Sequence, residues 1–220
     1  MQYLALFVIT CGFLIASNCH QKADASSKRM PLIVAIKKGE FEKVRAYLHT
    51  GADPNMRDSY GNTPLHWAGY CDNDGRITKQ LLEKGAKVDA LDKNNFTSLY
   101  WSVEKRHVRT MQALIEQAIA LKIKPISCEC ENLLSWAADC KDGESSNKMV
   151  ADLLRFGLDP NQPDNNRCTP LHYAVQHGNI KVVQTLLGAG ARTDLQDKSG
   201  KVPLDVAKQN DVVVQLLLHG

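Results

Sequence analysis

The tetrapeptide Thr-Pro-Leu-His occurs twice, as Thr63-Pro64-Leu65-His66 and Thr169-Pro170-Leu171-His172. Each copy is followed, a helix and a turn later, by Leu-Leu and then Gly-Ala, within residues 81–86 and 186–191. A threonine that caps a helix, with proline at the first helical position, predicts a helix start at each copy. The glycine predicts the end of a second helix. The chain therefore contains at least two copies of one helix-turn-helix unit.

The spacing of equivalent positions extends this pattern over most of the chain. Pro31 and Pro64 lie 33 residues apart, and so do Pro170 and Pro203. A unit of this length that contains Thr-Pro-Leu-His resembles the ankyrin-repeat family. The resemblance implies an all-α solenoid with short hairpin fingers between its units, in which stacking supplies the continuous core.

About six units are predicted, and they differ in how closely they follow the repeat. The second and fifth are close to the consensus, whereas Thr97-Ser98-Leu99-Tyr100 replaces the tetrapeptide in the third and Leu134-Ser135-Trp136-Ala137 in the fourth. The first and last are interpreted as caps. The predicted units cover residues 27–55, 56–90, 91–124, 125–161, 162–194 and 195–220.

The fifth unit shows the predicted chemistry of one repeat. Residues 164–168 form the polar finger, and Leu171 with Ala174 lines the inner face of the first helix. The spacing of apolar residues 180–187 predicts the second helix. We expect Leu171 and Leu186 to be core residues.

The histidines raise the question of catalysis or metal binding. In the family that the chain resembles, the histidine of the tetrapeptide ties neighbouring units together by hydrogen bonds, which implies structural roles for His66 and His172. The remaining histidines lack ligand spacing and are expected at the surface. The histidines expected at the surface are His49, His107, His177 and His219.

Two insertions interrupt the regular spacing between paired helices. They fall at residues 70–76 in the second unit and 139–147 in the fourth, and both are predicted to be loops on the edge opposite the finger tips. Insertions in a repeat often decorate a binding face, but a tolerated surface loop would look the same in sequence.

The N-terminus predicts export. Residues 3–17 are almost wholly apolar, too short for a comfortable membrane span and typical of a signal-peptide core, although no basic residue precedes them. The run ends in Ala16-Ser17-Asn18-Cys19, which resembles a bacterial lipoprotein signal with Cys19 as the lipidation site. Cleavage after Ala25 and an uncleaved anchor are the alternatives.

The lipoprotein interpretation sets the expected domain boundaries and location. Residues 1–18 are the signal peptide, 19–27 a tether and 28–220 the repeat domain. His20 after the cysteine, in place of aspartate, favours the outer membrane over retention at the inner one. The protein is then expected in the periplasm, anchored by lipid.

Seven cysteines suit an exported protein. Because neighbouring fingers stack, Cys128 or Cys130 is placed to reach Cys168, and Cys130 with Cys168 is the candidate disulfide. A zinc site at Cys128 and Cys130 lacks a second ligand pair, so no metal site is predicted.

Composition and motifs favour binding over catalysis. The net charge of +3 is too small to indicate a nucleic-acid partner. The sequence contains no phosphate-binding glycine loop, nucleophile elbow or zinc-protease helix. No cofactor is predicted, and the chain is not expected to be an enzyme.

The resemblance implies that a partner protein meets the fingers and the first helices. The aromatic residues at positions 67, 101, 136 and 173 are expected to form a partly buried stacking row that serves as a hot spot where it is exposed. The predicted partner-binding residues are Tyr60, Tyr70, Lys93, Phe96, Lys105, Asn165, Arg167, Gln176, His177 and Lys198.

An exported bacterial protein of this type is similar to immunity proteins that neutralise type VI lipase effectors. The partner is then a lipase toxin whose active site is occluded. The alternative is a periplasmic scaffold that stabilises a resident enzyme such as a catalase. Both rest on compartment and fold, and fold alone does not fix function.

Overall fold

The structure is a computed structural model, and it describes residues 30–123, 133–207 and 214–217. Within these residues the regular structure is helical and no strand occurs. The α-helices are α1 (Pro31–Lys37), α2 (Phe41–His49), α3 (Pro64–Cys71), α4 (Arg76–Glu83), α5 (Ser98–Glu104), α6 (Val108–Ala120), α7 (Leu133–Ala138), α8 (Gly143–Arg155), α9 (Pro170–His177) and α10 (Ile180–Gly188). A 3₁₀ helix, Pro203–Val206, follows α10.

The helices form two layers, as expected for a solenoid. Each odd-numbered helix packs against the next odd-numbered one, from α1 to α9 and on to the 3₁₀ helix. The even-numbered helices stack in the same way from α2 to α10, and each pair packs internally. Because every unit contacts its neighbours along both layers, the core is continuous along the array. The predicted all-α repeat fold is confirmed.

Helix starts follow the capping chemistry of the sequence. Thr63 is extended, with φ −88° and ψ 166°, and Pro64 occupies the first turn of α3. The side chain of Thr63 accepts a hydrogen bond from the backbone N–H of His66, which satisfies one donor of that turn. Thr97 caps α5 by accepting from the backbone N–H of Tyr100.

The core is made of the apolar positions that the repeat specifies. Leu65, Leu81, Leu171 and Leu186 are at most 1% exposed. Burying a leucine side chain contributes roughly 1.5–3 kcal/mol, so these four positions together contribute roughly 6–12 kcal/mol. Of the apolar residues predicted for α10, Ile180 and Leu187 at its ends are only half-buried.

The prediction for the fourth-unit insertion was wrong. Only residues 139–142 connect α7 to α8, and the rest of the inserted stretch belongs to α8, which is 13 residues long. Asp142 caps this helix by accepting a hydrogen bond from the backbone N–H of Glu144. Buried Ser146 donates to the Ala137 carbonyl oxygen at 2.7 Å and so fixes the first turn. The insertion therefore lengthens a helix.

The second-unit insertion is a short loop, residues 72–75, because Tyr70 and Cys71 belong to α3. Asp72 is buried and accepts hydrogen bonds from the backbone and the hydroxyl of Thr78, both at 2.7 Å. The Thr110 hydroxyl donates to the Asp72 carbonyl oxygen. These bonds tie the loop to α4 and α6.

Several predictions lie outside the described residues. They concern the signal peptide, the tether, Cys19, Cys128, Cys130 and His219. The domain boundaries stay predictions. None of the helices that the structure describes has the length and apolar character needed to cross a bilayer.

Candidate protein-binding surface

Each described finger is organised around one aspartate. In the fifth-unit finger, Oδ1 of Asp164 accepts hydrogen bonds from the backbone N–H groups of Asn166 and Cys168, both at 2.8 Å. The carboxylates of Asp58, Asp92 and Asp197 make the same pair of bonds in their own fingers. A carboxylate that accepts two backbone donors fixes the turn, so the fingers are preformed.

The same aspartates hold the aromatic row. Trp67 Nε1 donates to Asp58 Oδ2 at 2.9 Å, and the Tyr173 hydroxyl donates to Asp164 Oδ2 at 2.6 Å. Trp101 makes the equivalent bond to Asp92. Sequence reasoning missed this tie, although aspartate and aromatic residue are nine positions apart in all three units. Trp67 and Trp101 are almost fully buried, 3% and 4% exposed, so they support the surface from beneath.

Both histidines of the tetrapeptide lie between two units. The backbone N–H of Thr63 donates to His66 Nδ1 at 3.1 Å, which leaves Nε2 as the protonated nitrogen, and Nε2 donates to the Phe96 carbonyl oxygen of the next finger at 3.0 Å. His172 repeats the geometry, with Nε2 3.1 Å from the Lys201 carbonyl oxygen. Burial lowers the pKa of His66, which favours the neutral ring.

Two asparagines make a further tie that sequence reasoning missed. Asn161 Nδ2 donates to the Gly190 carbonyl oxygen at 2.9 Å, and its Oδ1 accepts from the backbone N–H of Arg192. Asn55 makes the same pair of bonds 106 positions earlier in the chain, to Gly85 and Lys87. The repeated Asp-Pro-Asn tripeptides at 53–55 and 159–161 were the available indication.

The third unit has Tyr100 in place of the histidine, and the Tyr100 ring packs against other aromatic residues. The rings of Phe96 and Tyr100 stack with centroids 4.1 Å apart and planes 15° from parallel. Trp136 of the next unit meets Tyr100 edge-on at 6.1 Å. Phe96 and Trp136 are half-buried, so part of this cluster is open to a partner.

A second aromatic cluster joins the second and third units. The rings of Trp67, Tyr70 and Trp101 meet edge-to-face with centroid distances of 5.6–6.1 Å. Gly69 makes this approach possible, because a Cβ there would lie 2.6 Å from the Ser98 carbonyl oxygen. Of the predicted stacking row, Trp67 and Trp101 thus lie in a mostly buried cluster and Trp136 lies in a second one, and neither cluster contains Tyr173.

The structure places the ten predicted partner-binding residues on the fingers and first helices. Six are exposed: Tyr60 (51%), Lys93, Asn165, Arg167, Gln176 and Lys198. Four are half-buried: Tyr70, Phe96, Lys105 and His177.

Neighbouring fingers are connected to each other through some of these residues. Lys93 Nζ donates to the Ser59 carbonyl oxygen at 2.6 Å, which joins the second and third fingers. The backbone N–H of Lys198 donates to the Asn166 carbonyl oxygen at 2.9 Å, which joins the fifth and sixth. The exposed side chains of each pair therefore share one surface.

Arg167 differs from its equivalents in the other fingers. Its φ is 60°, in the left-handed region, and the matching positions hold Gly61, Asn95 and Gly200. A bulky residue is uncommon there because its Cβ is crowded, at a cost on the order of 1 kcal/mol. The exposed Arg167 side chain makes no hydrogen bond or ion pair with the residues that the structure describes.

Two histidines expected at the surface are instead half-buried and bonded. His107 Nδ1 lies 3.1 Å from the Gly69 carbonyl oxygen, and burial lowers the pKa of this ring. His177 Nε2 lies 2.6 Å from Asp139 Oδ1 in the preceding unit. The helix ends that carry these histidines face the neighbouring unit, which their spacing in sequence does not show. His49 is exposed as expected.

No disulfide joins the cysteines that the structure describes, which are Cys71, Cys140 and Cys168. Burial raises the pKa of Cys168 to about 11, so it stays protonated at neutral pH. Its predicted disulfide partner, Cys130, lies outside the described residues, and the pairing stays a prediction. Within the described ranges, no group of three or more His, Cys, Asp or Glu is placed to hold a metal ion.

Comparison with solved structures shows the fold. A chain in the structure of the Bd0816 predatory endopeptidase from Bdellovibrio bacteriovorus in complex with immunity protein Bd3460 superposes with a TM-score of 0.67. It is 24% identical, over 90% of this chain and 98% of that one. EF0377, an ankyrin repeat protein, superposes with a TM-score of 0.71 at 22% identity, over 90% of this chain and 99% of that one.

Sequence relatives match through part of their length. Palmitoyltransferase ZDHHC17 of Danio rerio is 29% identical over 81% of this chain and 33% of its own length. The transient receptor potential channel pyrexia of Drosophila melanogaster is 33% identical over 86% of this chain and 19% of its own length. This chain thus spans a third or less of these relatives.

A family model described as "Ankyrin repeats (3 copies)" matches residues 7–92, 32–125 and 134–220, which together cover most of the chain. Repeats of this family are typically non-catalytic modules that bind other proteins. The chain belongs to the ankyrin-repeat family.

Proposed function

We propose that this protein is an exported immunity protein that binds a hydrolytic effector and occludes its active site. The observation that carries the proposal is Arg167, exposed at the tip of a finger in a strained backbone conformation and without a structural contact among the described residues. A bulky, exposed side chain on a left-handed residue of a finger supports a role in binding.

The backbone that carries Arg167 and the other exposed finger residues is held rigidly, which favours tight binding. The finger turns are fixed by aspartates, and the units are tied by His66 and His172. A preformed surface loses little conformational entropy on association, which leaves more of the contact energy as affinity. Exposed Tyr60 and half-buried Phe96 supply aromatic anchors beside the cations.

The nature of the effector follows from two lines of support. The apolar N-terminal run and Cys19 favour a lipoprotein in the periplasm, where type VI lipase effectors act. The complex of the Bd0816 endopeptidase with immunity protein Bd3460 contains a chain of this fold. A hydrolase is therefore the proposed partner class, with a lipase as the first candidate.

A scaffold that stabilises a resident enzyme such as a catalase is the alternative. It uses the same exposed surface and the same compartment. The two functions differ in what binding does, since an immunity protein abolishes its partner's activity and a scaffold preserves it.

The test uses any hydrolase that a gene beside this one encodes. Purified full-length protein is mixed with that hydrolase, and complex formation and residual activity are measured. We expect co-elution and loss of activity, both weakened by Lys93→Glu and Arg167→Glu. Lys148→Glu, an exposed lysine on α8, is the matched control. Full hydrolase activity inside a stable complex would favour the scaffold, and no complex would refute both.

The membrane anchor is tested separately. Cys19→Ala should abolish acyl labelling and release the protein from the membrane fraction. Wild-type protein of unmodified mass, cleaved after Ala25, would replace lipidation by simple secretion.

A further inference from the structure

The ends of three neighbouring first helices carry a group of side chains that the sequence analysis recognised only in part. Lys37 is the last residue of α1, Tyr70 and Cys71 end α3, and Lys105 follows α5. These helices pack in series, α1 on α3 and α3 on α5. The close approach of α3 to α5 at Gly69 adds to this convergence.

The two lysines are held on aromatic faces. Lys37 Nζ lies 3.5 Å from the centroid of the Trp67 ring, and Lys105 Nζ lies 4.2 Å from that of Tyr70. The Trp67 and Tyr70 rings are themselves in edge-to-face contact at 6.1 Å. An ammonium group over a ring is attracted by its quadrupole, so both cations have a preferred position without a carboxylate.

Among the described residues, the protein's own acids form an ion pair with only one of the two ammonium groups. Among the described residues Lys37 has no ion-pair partner, and Lys105 has only Glu104, at 3.3 Å. The Asp72 carboxylate is buried and is used by Thr78. Burial raises the pKa of the Cys71 thiol; Lys37 and Lys105 oppose that rise and Asp72 adds to it, so both ammonium groups and the Asp72 carboxylate act at this place.

We propose that Lys37, Tyr70 and Lys105 form a socket for the carboxylate of an aspartate or glutamate from a protein partner. This rests on the proposed function and specifies its chemistry. The two ammonium groups are the cationic donors. The Tyr70 hydroxyl, which has no hydrogen-bond partner among the described residues, is the neutral donor. Charge-assisted hydrogen bonds are about twice as strong as neutral ones, which makes a carboxylate the fitting ligand.

The effect of losing one cation follows from the same chemistry. A hydrogen bond to a charged group contributes enough for its removal to weaken binding roughly ten- to a hundredfold. Lys37→Glu should reach that range. Lys37→Arg should retain most of the affinity, because it keeps the charge and the contact with Trp67.

The first test uses a peptide and needs no identified partner. An acetylated, amidated Gly-Glu-Glu-Gly peptide is titrated into the full chain and followed by the backbone amide resonances around Tyr70 and Lys105. We expect saturable shifts at millimolar peptide that are absent with a Gly-Gln-Gln-Gly peptide. Lys37→Glu and Lys105→Glu should abolish them, and Lys148→Glu should not. Equal shifts with both peptides, or with Lys37→Glu, overturn the socket.

The second test uses the hydrolase complex and phosphatidylglycerol vesicles. Lys37→Glu should weaken the hydrolase complex at least roughly tenfold, with Lys148→Glu unchanged. A wild-type complex that tolerates both Lys37→Glu and Lys105→Glu refutes the socket and leaves the proposed function standing. Failure of the wild-type complex refutes the function, and the peptide titration still decides the socket. Vesicle binding that depends on Lys37, without peptide binding, would assign the site to lipid headgroups and overturn it.

Discussion

The second and third units carry different residues, His66 and Tyr100, at the same position of the repeat. In the second unit, His66 donates a directional hydrogen bond to the Phe96 carbonyl oxygen. In the third, Tyr100 occupies the equivalent position, stacks on the Phe96 ring of its own unit and meets the Trp136 ring of the fourth unit edge-on. One residue of the third finger thus receives a polar tie from one side and an aromatic contact from the other. The second unit uses this position to fix the alignment of two units, whereas the third unit uses it in a cluster with half-buried aromatic surface.

The largest expected effect concerns the core that both kinds of unit share. Leu171 is fully buried, so Leu171→Ala should lower the free energy of unfolding by roughly 2–5 kcal/mol through cavity formation. Chemical denaturation measures this. Leu187→Ala is the control at a half-buried position and should cost clearly less. Equal losses of unfolding free energy in the two variants would contradict the assignment of Leu171 to the core and of Leu187 to its edge.

Gly69 marks a second difference between units, in how closely neighbouring first helices approach each other. The equivalent position in the fifth unit is Val175, which is buried without conflict, whereas at Gly69 a Cβ would meet the Ser98 carbonyl oxygen at 2.6 Å. Gly69→Ala should destabilise the fold by roughly 1–3 kcal/mol by overpacking. Thermal unfolding of Gly69→Ala and of Gly188→Ala, where a Cβ meets nothing within 4 Å, provides the matched pair. An unchanged melting temperature for Gly69→Ala would show that α3 and α5 lie further apart.

The histidine tie predicts how stability changes with pH. Burial lowers the pKa of His66 below its ordinary 6.5, and this outweighs the Phe96 carbonyl and the carboxylates of Asp92 and Asp58, which act in the opposite direction. The fold prefers the neutral ring, so its contribution is present above pH 6.5 and is lost as the pH falls below that value.

The free energy of unfolding is measured at several pH values between roughly pH 7.5 and pH 5. This range covers both sides of the ordinary histidine pKa of roughly 6.5. His66→Asn should lose part of the acid sensitivity, because the lowered pKa of the buried ring is then absent. His107 contributes in the same direction, because burial also lowers its pKa. A wild-type curve that rises on acidification would reverse the assignment of the neutral ring.

Arg167 gives the smallest effect on stability, with the opposite sign. Arg167→Gly should raise the free energy of unfolding by a few tenths to about 1 kcal/mol, because glycine adopts the left-handed conformation without strain. The same variant should weaken the hydrolase complex. Gly200→Ala, at the equivalent finger position, should be destabilising. A more stable Arg167→Gly variant with unchanged binding would remove the main support for Arg167 as a contact residue.

The sequence predicts the architecture because period and capping are local properties. The prolines 33 residues apart and the Thr-Pro-Leu-His copies are enough for the two-layer solenoid. The length of α8 was not predicted. The helix begins directly after Asp142, and the sequence alone does not show that this aspartate acts as a helix cap and not as a loop residue.

The candidate surface was predictable only in outline. Repeat alignment placed Tyr60, Lys93 and Arg167 on the fingers, and the structure leaves them exposed. It could not show Lys37 over Trp67 or His177 beside Asp139, since these contacts join different units at distances set by packing. The strain at Arg167 is likewise a property of the folded turn.

The most direct test of the central claim is an inhibition titration of a hydrolase encoded by a neighbouring gene. Increasing amounts of the purified protein are added at hydrolase concentrations well above the dissociation constant, and residual activity is recorded. Occlusion by binding predicts a linear fall to zero that ends at one equivalent, with Lys93→Glu and Arg167→Glu converting the sharp endpoint into a shallow curve. Activity that persists beyond one equivalent, or that disappears at a small fraction of an equivalent, would contradict stoichiometric binding.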